Sequence, residues 1–324
     1  MVTVENKNKR VRHFALPIMR IGCSSLAMRL FCGQLEKKST ASSASTSSAP
    51  DPETIAHAIR RIAELGIRSV DLWFYTESQL TNFLAPVNLR KVNDACKSYS
   101  AKIDHIYIGF LHPRIFGSVQ GELDEPWSGI GRLASNTNTT TIEILSPPVS
   151  LDTLWGDGSM GNRVNPTSWN KVWERYVSSM KEHAKFAQRN GLMLSIESRP
   201  SELLSNTDAL LRLIEAVDSD NIGGVIDISH LHMVREIIPL SILKLGKRMF
   251  CVHLSDNDGI TDWHWSPGQG KVDWEPVFEA LKYSGYDGVL SLDIAGIDVE
   301  QELSEGKQFV ESMQEKMNVS STSE

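Results

Sequence analysis

Short apolar runs rich in branched side chains recur along this 324-residue chain, each followed by a longer segment whose apolar positions fall three and four residues apart. The first pattern predicts buried strands and the second amphipathic helices. The predicted strands are Leu16–Ser24, Ile67–Trp73, Ile106–His112, Thr141–Leu145, Leu192–Ile196, Gly224–Ile228, Met249–Leu254 and Val289–Leu292. Asp51-Pro52-Glu53 opens a helix that repeats Ile55, Ile59, Ile62 and Leu65 until Gly66 stops it. Further helices are predicted over Val87–Tyr99, from a Thr167 or Ser168 cap to Arg189, over Thr207–Val217, from Val272-Asp273-Trp274 onward, and over Val299–Met317. Strand and helix alternate as parallel strands with right-handed crossovers require. The prediction is an α/β fold made of a single (β/α)8 barrel over residues 16–317.

Several segments fall outside that alternation. Residues 1–15, with Lys7, Lys9, Arg10 and Arg12, read as a solvated arm, and a prolonged connection follows the first strand. Within it, residues 39–50 (STASSASTSSAP) cannot bury enough apolar surface to offset their ordering entropy, which predicts a flexible insertion. Pro113–Asn138 carries Gly, Pro, Ser and Asn without a strong helical pattern. Leu151–Asn165, with Trp155 and Asp157, reads as a long loop suited to covering a small substrate, and residues 318–324 read as a polar tail.

A formal net charge of −7 argues against a nucleic-acid backbone as the main partner, because neutralising phosphates needs a basic surface. The four cysteines lack CxxC spacing, and Cys23 and Cys251 fall in predicted strands, where thiols act as small core side chains. A reducing, cytoplasmic setting follows. The apolar stretch from Phe14 to Gly33 is interrupted by Arg20 and Arg29, so neither a cleavable signal nor a membrane span is expected.

The chemistry concentrates where predicted strands end. The fifth strand leads into Glu197, the sixth contains Asp227 with His230 three residues on, the seventh carries His253, and the eighth leads into Asp293. Charged groups so near a buried core are costly unless paired or bound to a cation. At the mouth of one barrel, Glu197, Asp227, His253 and Asp293 would offer three oxygen ligands and one nitrogen. That set suits one divalent ion, Mn²⁺ or Mg²⁺ first, with Zn²⁺, Co²⁺ or Fe²⁺ also compatible. Beyond His253 come Asp262 and His264, one residue apart and so turned to the same side of an extended segment, then the tight Ser266-Pro267-Gly268-Gln269-Gly270 turn. His232 alternates with His230 and on an extended backbone would face the same way, although a structural histidine is the commoner outcome. Arg199 either holds a substrate oxygen or anion or pairs with Glu202.

These residues resemble the xylose-isomerase-like TIM barrels, which include sugar-phosphate isomerases and epimerases, hydroxypyruvate isomerases, inosose dehydratases and apurinic-site endonucleases. The matching pieces are Glu197 in SIESRP, Asp227 and His230 in DISHLH, His253 in VHLSDNDG, the PGQGKVDW turn and Asp293 in GVLSLDIAG. The likeness is strong over Leu192–Gly296 and rests on strand-helix order before that. It implies a metal-dependent isomerase or epimerase of a small carbohydrate, in which a proton beside a carbonyl is removed and returned through a metal-stabilised enediolate. It further implies that Glu197 and Asp293 are ligands and acid/base groups, and that His230, Arg199, His264, Asp262 and His112 contact substrate. Members of the family often pair, so a homo-oligomer is an expectation of the resemblance too. Many members carry Glu where this chain has Asp293, and the shorter arm changes where a proton-transfer oxygen sits.

A lyase or dehydratase acting on keto-polyols or keto-glycosides would start from the same enolate. An apurinic-site nuclease would use Asp227, His230, His253, Asp262 and His264 but needs more histidines on earlier strands, where this chain offers only His112. A non-catalytic barrel would follow if Asp293 had removed activity.

Overall fold

Eight parallel strands hydrogen-bond in sequence order and the eighth returns to the first, so the sheet is a closed barrel with helices outside it. The computed structural model describes residues 19–39, 51–111, 123–147 and 169–320. The strands are β1 Arg20–Cys23, β2 Ser69–Phe74, β3 Lys102–Ile108, β4 Thr141–Leu145, β5 Met193–Glu197, β6 Ile222–Asp227, β7 Met249–Leu254 and β8 Val289–Leu292. The helices are α1 Ser25–Ser39, α2 Pro52–Glu64, α3 Glu77–Phe83, α4 Pro86–Ser98, α5 Asp124–Thr137, α6 Trp169–Arg189, α7 Thr207–Val217, α8 Ile228–Met233, α9 Ile238–Leu245, α10 Trp274–Ser284 and α11 Val299–Ser320. Every residue of β2 and of β6 is buried, as expected of strands packed on side chains inside the barrel and on helices outside it. Register aligns the strand ends, with Leu145 opposite Glu197, Glu197 opposite Val225, Asp227 opposite His253 and Leu254 opposite Leu292. The polar residues at the ends of β5 to β8 therefore share one rim.

The structure departs from the sequence pattern chiefly in the first half. Helix α1 starts straight after β1, where a prolonged connection was expected; Ser24 Oγ accepts from Ala27 N at 3.2 Å and holds its first turn. Strand β3 begins four residues before the predicted Ile106, since Asp104 and His105 are tolerated in it by charged partners: the half-exposed Arg20 places Nη1 2.7 Å from Asp104, and His105 Nδ1 lies 3.1 Å from the buried Asp71. Helix α5 occupies part of the stretch read as lacking one, because Trp127, Ile130, Leu133 and Ala134 form a buried stripe despite two glycines. The sixth strand ends at Asp227, not Ile228, and α11 runs three residues beyond Met317 into the stretch read as a tail. The expectations for residues 1–15, 40–50, His112, Leu151–Asn165 and 321–324 fall outside the described residues.

The segment joining β7 to α10 is tied to Asp256, which is fully buried. Its Oδ1 accepts from Asn257 N at 2.9 Å and Val272 N at 3.1 Å, and its Oδ2 from Gly268 N at 3.0 Å and Trp274 Nε1 at 2.9 Å. Gly270 is required there, because a Cβ would come within 2.2 Å of Asp256 Oδ1 and 2.4 Å of Asn257 O. Asp256→Ala leaves those buried donors without an acceptor and should cost about 3–4 kcal/mol of stability. Thermal unfolding reads the effect, and an unchanged Tm would show that this carboxylate does not hold the loop.

Candidate functional site

Glu197 closes β5, Asp227 closes β6, His253 is the fifth residue of β7 and Asp293 follows β8 directly; all four are buried. His253 Nδ1 lies 3.1 Å from Glu197 Oε1 and 3.9 Å from Asp227 Oδ2. One ligand atom from each of Asp227, His253 and Asp293 lies within 4.8 Å of the others. Asp227 divides its work, since Oδ1 caps α8 by accepting from His230 N at 2.9 Å while Oδ2 is buried without a hydrogen bond. A buried carboxylate oxygen left bare beside an imidazole and two further carboxylates is what a cation site requires.

Asp262 and His264 meet the same cluster. Asp262 lies 3.3 Å from His230 Nε2 through Oδ2 and 3.2 Å from His264 Nε2 through Oδ1. The rings of His230 and His264 pack edge to face at 5.3 Å, and His264 Nδ1 is 2.9 Å from the Asp293 carboxylate. Asp227, His230 and His264 thus form a second triad with ligand atoms within 4.8 Å. His232 is not part of it: α8 replaces the extended segment, and successive side chains no longer alternate, so His232 Nδ1 faces Asn257 Oδ1 at 2.6 Å instead.

Sequence reasoning missed Glu143, a buried carboxylate in the middle of β4 that lies 3.5 Å from His253 Nε2. The signal was present, because a lone acid inside the apolar run TIEIL has no place in a purely structural strand. With Glu143 on one ring nitrogen and the Glu197–Asp227 side on the other, His253 is oriented as a metal-ligating imidazole is by an outer carboxylate. Ser24 was missed as well; its hydroxyl donates to Asp293 Oδ1. One layer below the rim, Asp71, His105, Cys251 and Ser291 form a closed internal polar group, with Ser291 Oγ 3.2 Å from Asp71 Oδ2 and Cys251 Sγ 3.7 Å from His105 Nδ1.

The electrostatics follow from burial and neighbours. Burial resists charge on Asp293, yet the fields of His253 and His264 and the bonds from His264 and Ser24 hold its carboxyl well below the usual range. Burial likewise opposes a charged His264, but Asp262 and Asp293 push its pKa up to about 12. Burial also opposes charge on His230, which Asp227, Asp262 and Glu197 raise to about 9. Glu143 is pushed up by burial, against the pull of His253. Glu202, 3.5 Å from Arg199, is pushed up to about 7 by burial.

A cavity of about 270 Å³ opens onto these groups and is lined by Glu143, Glu197, Arg199, His230, His253, His264 and Asp293, and from the first strands' side by Ser25, Leu26, Arg29, Tyr75 and Tyr107. Arg199 therefore faces the cavity and touches Glu202 at once. Another cavity of about 410 Å³ lies at the opposite end of the barrel beside Arg20, Lys307 and Gln314, away from the acidic and imidazole cluster.

The family model for xylose isomerase-like TIM barrels matches residues 59–314. Among curated proteins, an uncharacterized protein of Methanocaldococcus jannaschii is 24% identical over 281 residues, covering 82% of this chain and 88% of that protein. Fructoselysine 3-epimerase of Shigella flexneri is 22% identical over 245 residues, covering 74% of this chain and 85% of the enzyme. Among solved structures, an L-ribulose 3-epimerase superposes with a TM-score of 0.68 at 16% identity, covering 94% of this chain and 98% of that one. A D-tagatose 3-epimerase-like protein superposes with a TM-score of 0.66 at 20% identity, over 93% and 99% of the two chains. No described helix is long and apolar enough to cross a membrane.

Proposed function

The chain belongs to the xylose isomerase-like TIM barrel family, and from that premise we propose that it is a divalent-metal-dependent isomerase or epimerase of a small sugar. The observation that carries this reading is the convergence of Asp227, His253 and Asp293, with Glu197 against His253 and Asp227 Oδ2 buried and bare. Proteins similar to this chain that are named as sugar epimerases support it. The donor set fits a hard divalent cation, Mn²⁺ or Mg²⁺, held by Glu197, Asp227, His253 and Asp293. Such an ion supplies positive charge beside the oxygens of a hydroxy-ketone, which makes the neighbouring C–H acidic enough to lose its proton.

The chain's own groups do the rest. Glu197 and Asp293 reach the cavity from β5 and β8, and we assign them to take the proton from the carbon and to return it. Glu143 holds the far nitrogen of His253, which keeps the near one turned toward Glu197. His230, whose Nδ1 is buried without a hydrogen bond, presents an N–H donor to a substrate oxygen, His264 lines the same cavity with its two ring nitrogens on Asp262 and Asp293, and Arg199 holds a further oxygen. A cavity of about 270 Å³ suits a monosaccharide far better than a duplex, which with the acidic charge sets the nuclease reading aside.

Elemental analysis after metal reconstitution and gel filtration tests the metal part directly. About one equivalent of divalent ion per chain is expected. Less than roughly a tenth of an equivalent with the fold intact would contradict it, and three tightly held zinc ions would favour the nuclease.

A further inference from the structure

The cavity has two unlike halves. The side built by β4 to β8 is acidic and rich in imidazole, whereas the side built by β1 to β3 carries Arg29, Tyr75 and Tyr107. Arg29, from the second turn of α1, is mostly buried and has neither ion pair nor hydrogen bond among the described residues; its Nε is buried with no acceptor. Its guanidinium lies 6.0 Å from the centroid of the Tyr75 ring, which meets Tyr107 edge to face at 5.6 Å. Other arginines near the barrel have carboxylates, as Arg20 has Asp104 at 2.7 Å and Arg199 has Glu202 at 3.5 Å. A guanidinium cannot shed its charge when desolvated, so one in a cavity wall with a tyrosine ring but no carboxylate beside it gains most when an anion arrives.

Resting on the isomerase reading, we infer that the substrate is an anionic sugar whose carboxylate or phosphate is held by Arg29, with its carbonyl end toward His253. The five donors of the guanidinium match either anion bidentately. Tyr107 lines the same wall and adds a phenol donor there. Gly109 keeps the tyrosine pair where it is, because a Cβ there would come within 2.9 Å of Tyr75 and 3.0 Å of the Tyr107 hydroxyl. The expected substrate spans the cavity from Arg29 to the imidazole cluster, and a neutral ketose leaves Arg29 unsatisfied.

Calorimetric binding to metal-reconstituted protein, with D-fructose, D-fructose 6-phosphate, D-fructuronate and inorganic phosphate as probes, separates the cases. At least one anionic sugar should bind about tenfold or more tightly than fructose, and which one does so distinguishes phosphate from carboxylate. Arg29→Gln should erase that preference, while Arg29→Lys, which keeps the charge but not the fork of donors, should retain only part of it. If Arg29→Gln does not fold by thermal unfolding, the parent against Arg29→Lys decides: a loss of bidentate fit should weaken only the anionic probes. Equal binding of fructose and both anionic sugars, an anion preference that survives Arg29→Gln, or no binding of any anionic probe would overturn the assignment. Solvent deuterium uptake on the same samples keeps the two claims apart. An Arg29-dependent anion preference without uptake upholds the anion site and counts against the isomerase, and uptake into fructose without anion preference does the reverse.

Discussion

Replacing Glu197 with Gln should abolish solvent deuterium exchange at the substrate carbon while leaving the barrel folded. Gln keeps the shape of the side chain and an acceptor oxygen toward His253 Nδ1, which Glu197 Oε1 faces at 3.1 Å, but it cannot take a proton from carbon and carries no charge toward a cation. Loss of a positioned general base alone removes about 100- to 10,000-fold in rate, and loss of a ligand charge adds to it. Glu197 is buried, so the charge also interacts with its neighbours more strongly than it would in water. Removing it relieves part of the like-charge crowding with Asp227 and Asp293, and Tm should fall little or rise. Exchange within a few-fold of the parent in a folded Gln variant would show that another group moves the proton.

Asp293 is the second sensitive position. Its carboxylate accepts from the Ser24 hydroxyl and lies 2.9 Å from His264 Nδ1, so its orientation is set from two sides before any substrate enters. Asp293→Glu keeps the charge but moves the oxygens by about one carbon–carbon bond, out of reach of one or both partners. Metal binding should persist, whereas exchange should fall on the order of 100-fold, the usual result of misplacing a reacting group by about an ångström. Asp293→Asn should lower metal affinity and remove exchange together. Should Asp293→Asn bind metal and exchange deuterium like the parent, Asp293 is neither ligand nor base.

The C-terminal half of the site was legible because each polar residue there ends an apolar run. Glu197, Asp227, His253 and Asp293 stand where β5 to β8 meet the rim, and alternation places Asp262 and His264 on one side even though the backbone at His264 turns through φ 49°. The first half hid its contributions inside elements. Glu143 and Asp71 lie inside strands that the apolar pattern does identify, away from the strand ends that marked the other site residues, whereas Asp104 and His105 weaken the apolar signal at the start of β3. Arg29 was read as evidence against a membrane span, and with α1 unforeseen nothing turned it toward the cavity. His232 shows the converse: an alternation argument fails once Asp227 caps a helix at the strand's end.

Solvent deuterium incorporation into a hydroxy-ketose by the metal-reconstituted parent protein shows whether this barrel takes a proton from carbon, because proton removal beside a carbonyl leaves that mark whether or not product accumulates. Deuterium is expected at a single carbon next to the carbonyl, lost when the metal is chelated and restored when it is returned. Turnover of a ketose with no deuterium at that carbon, or exchange that persists in the chelated protein, would contradict it.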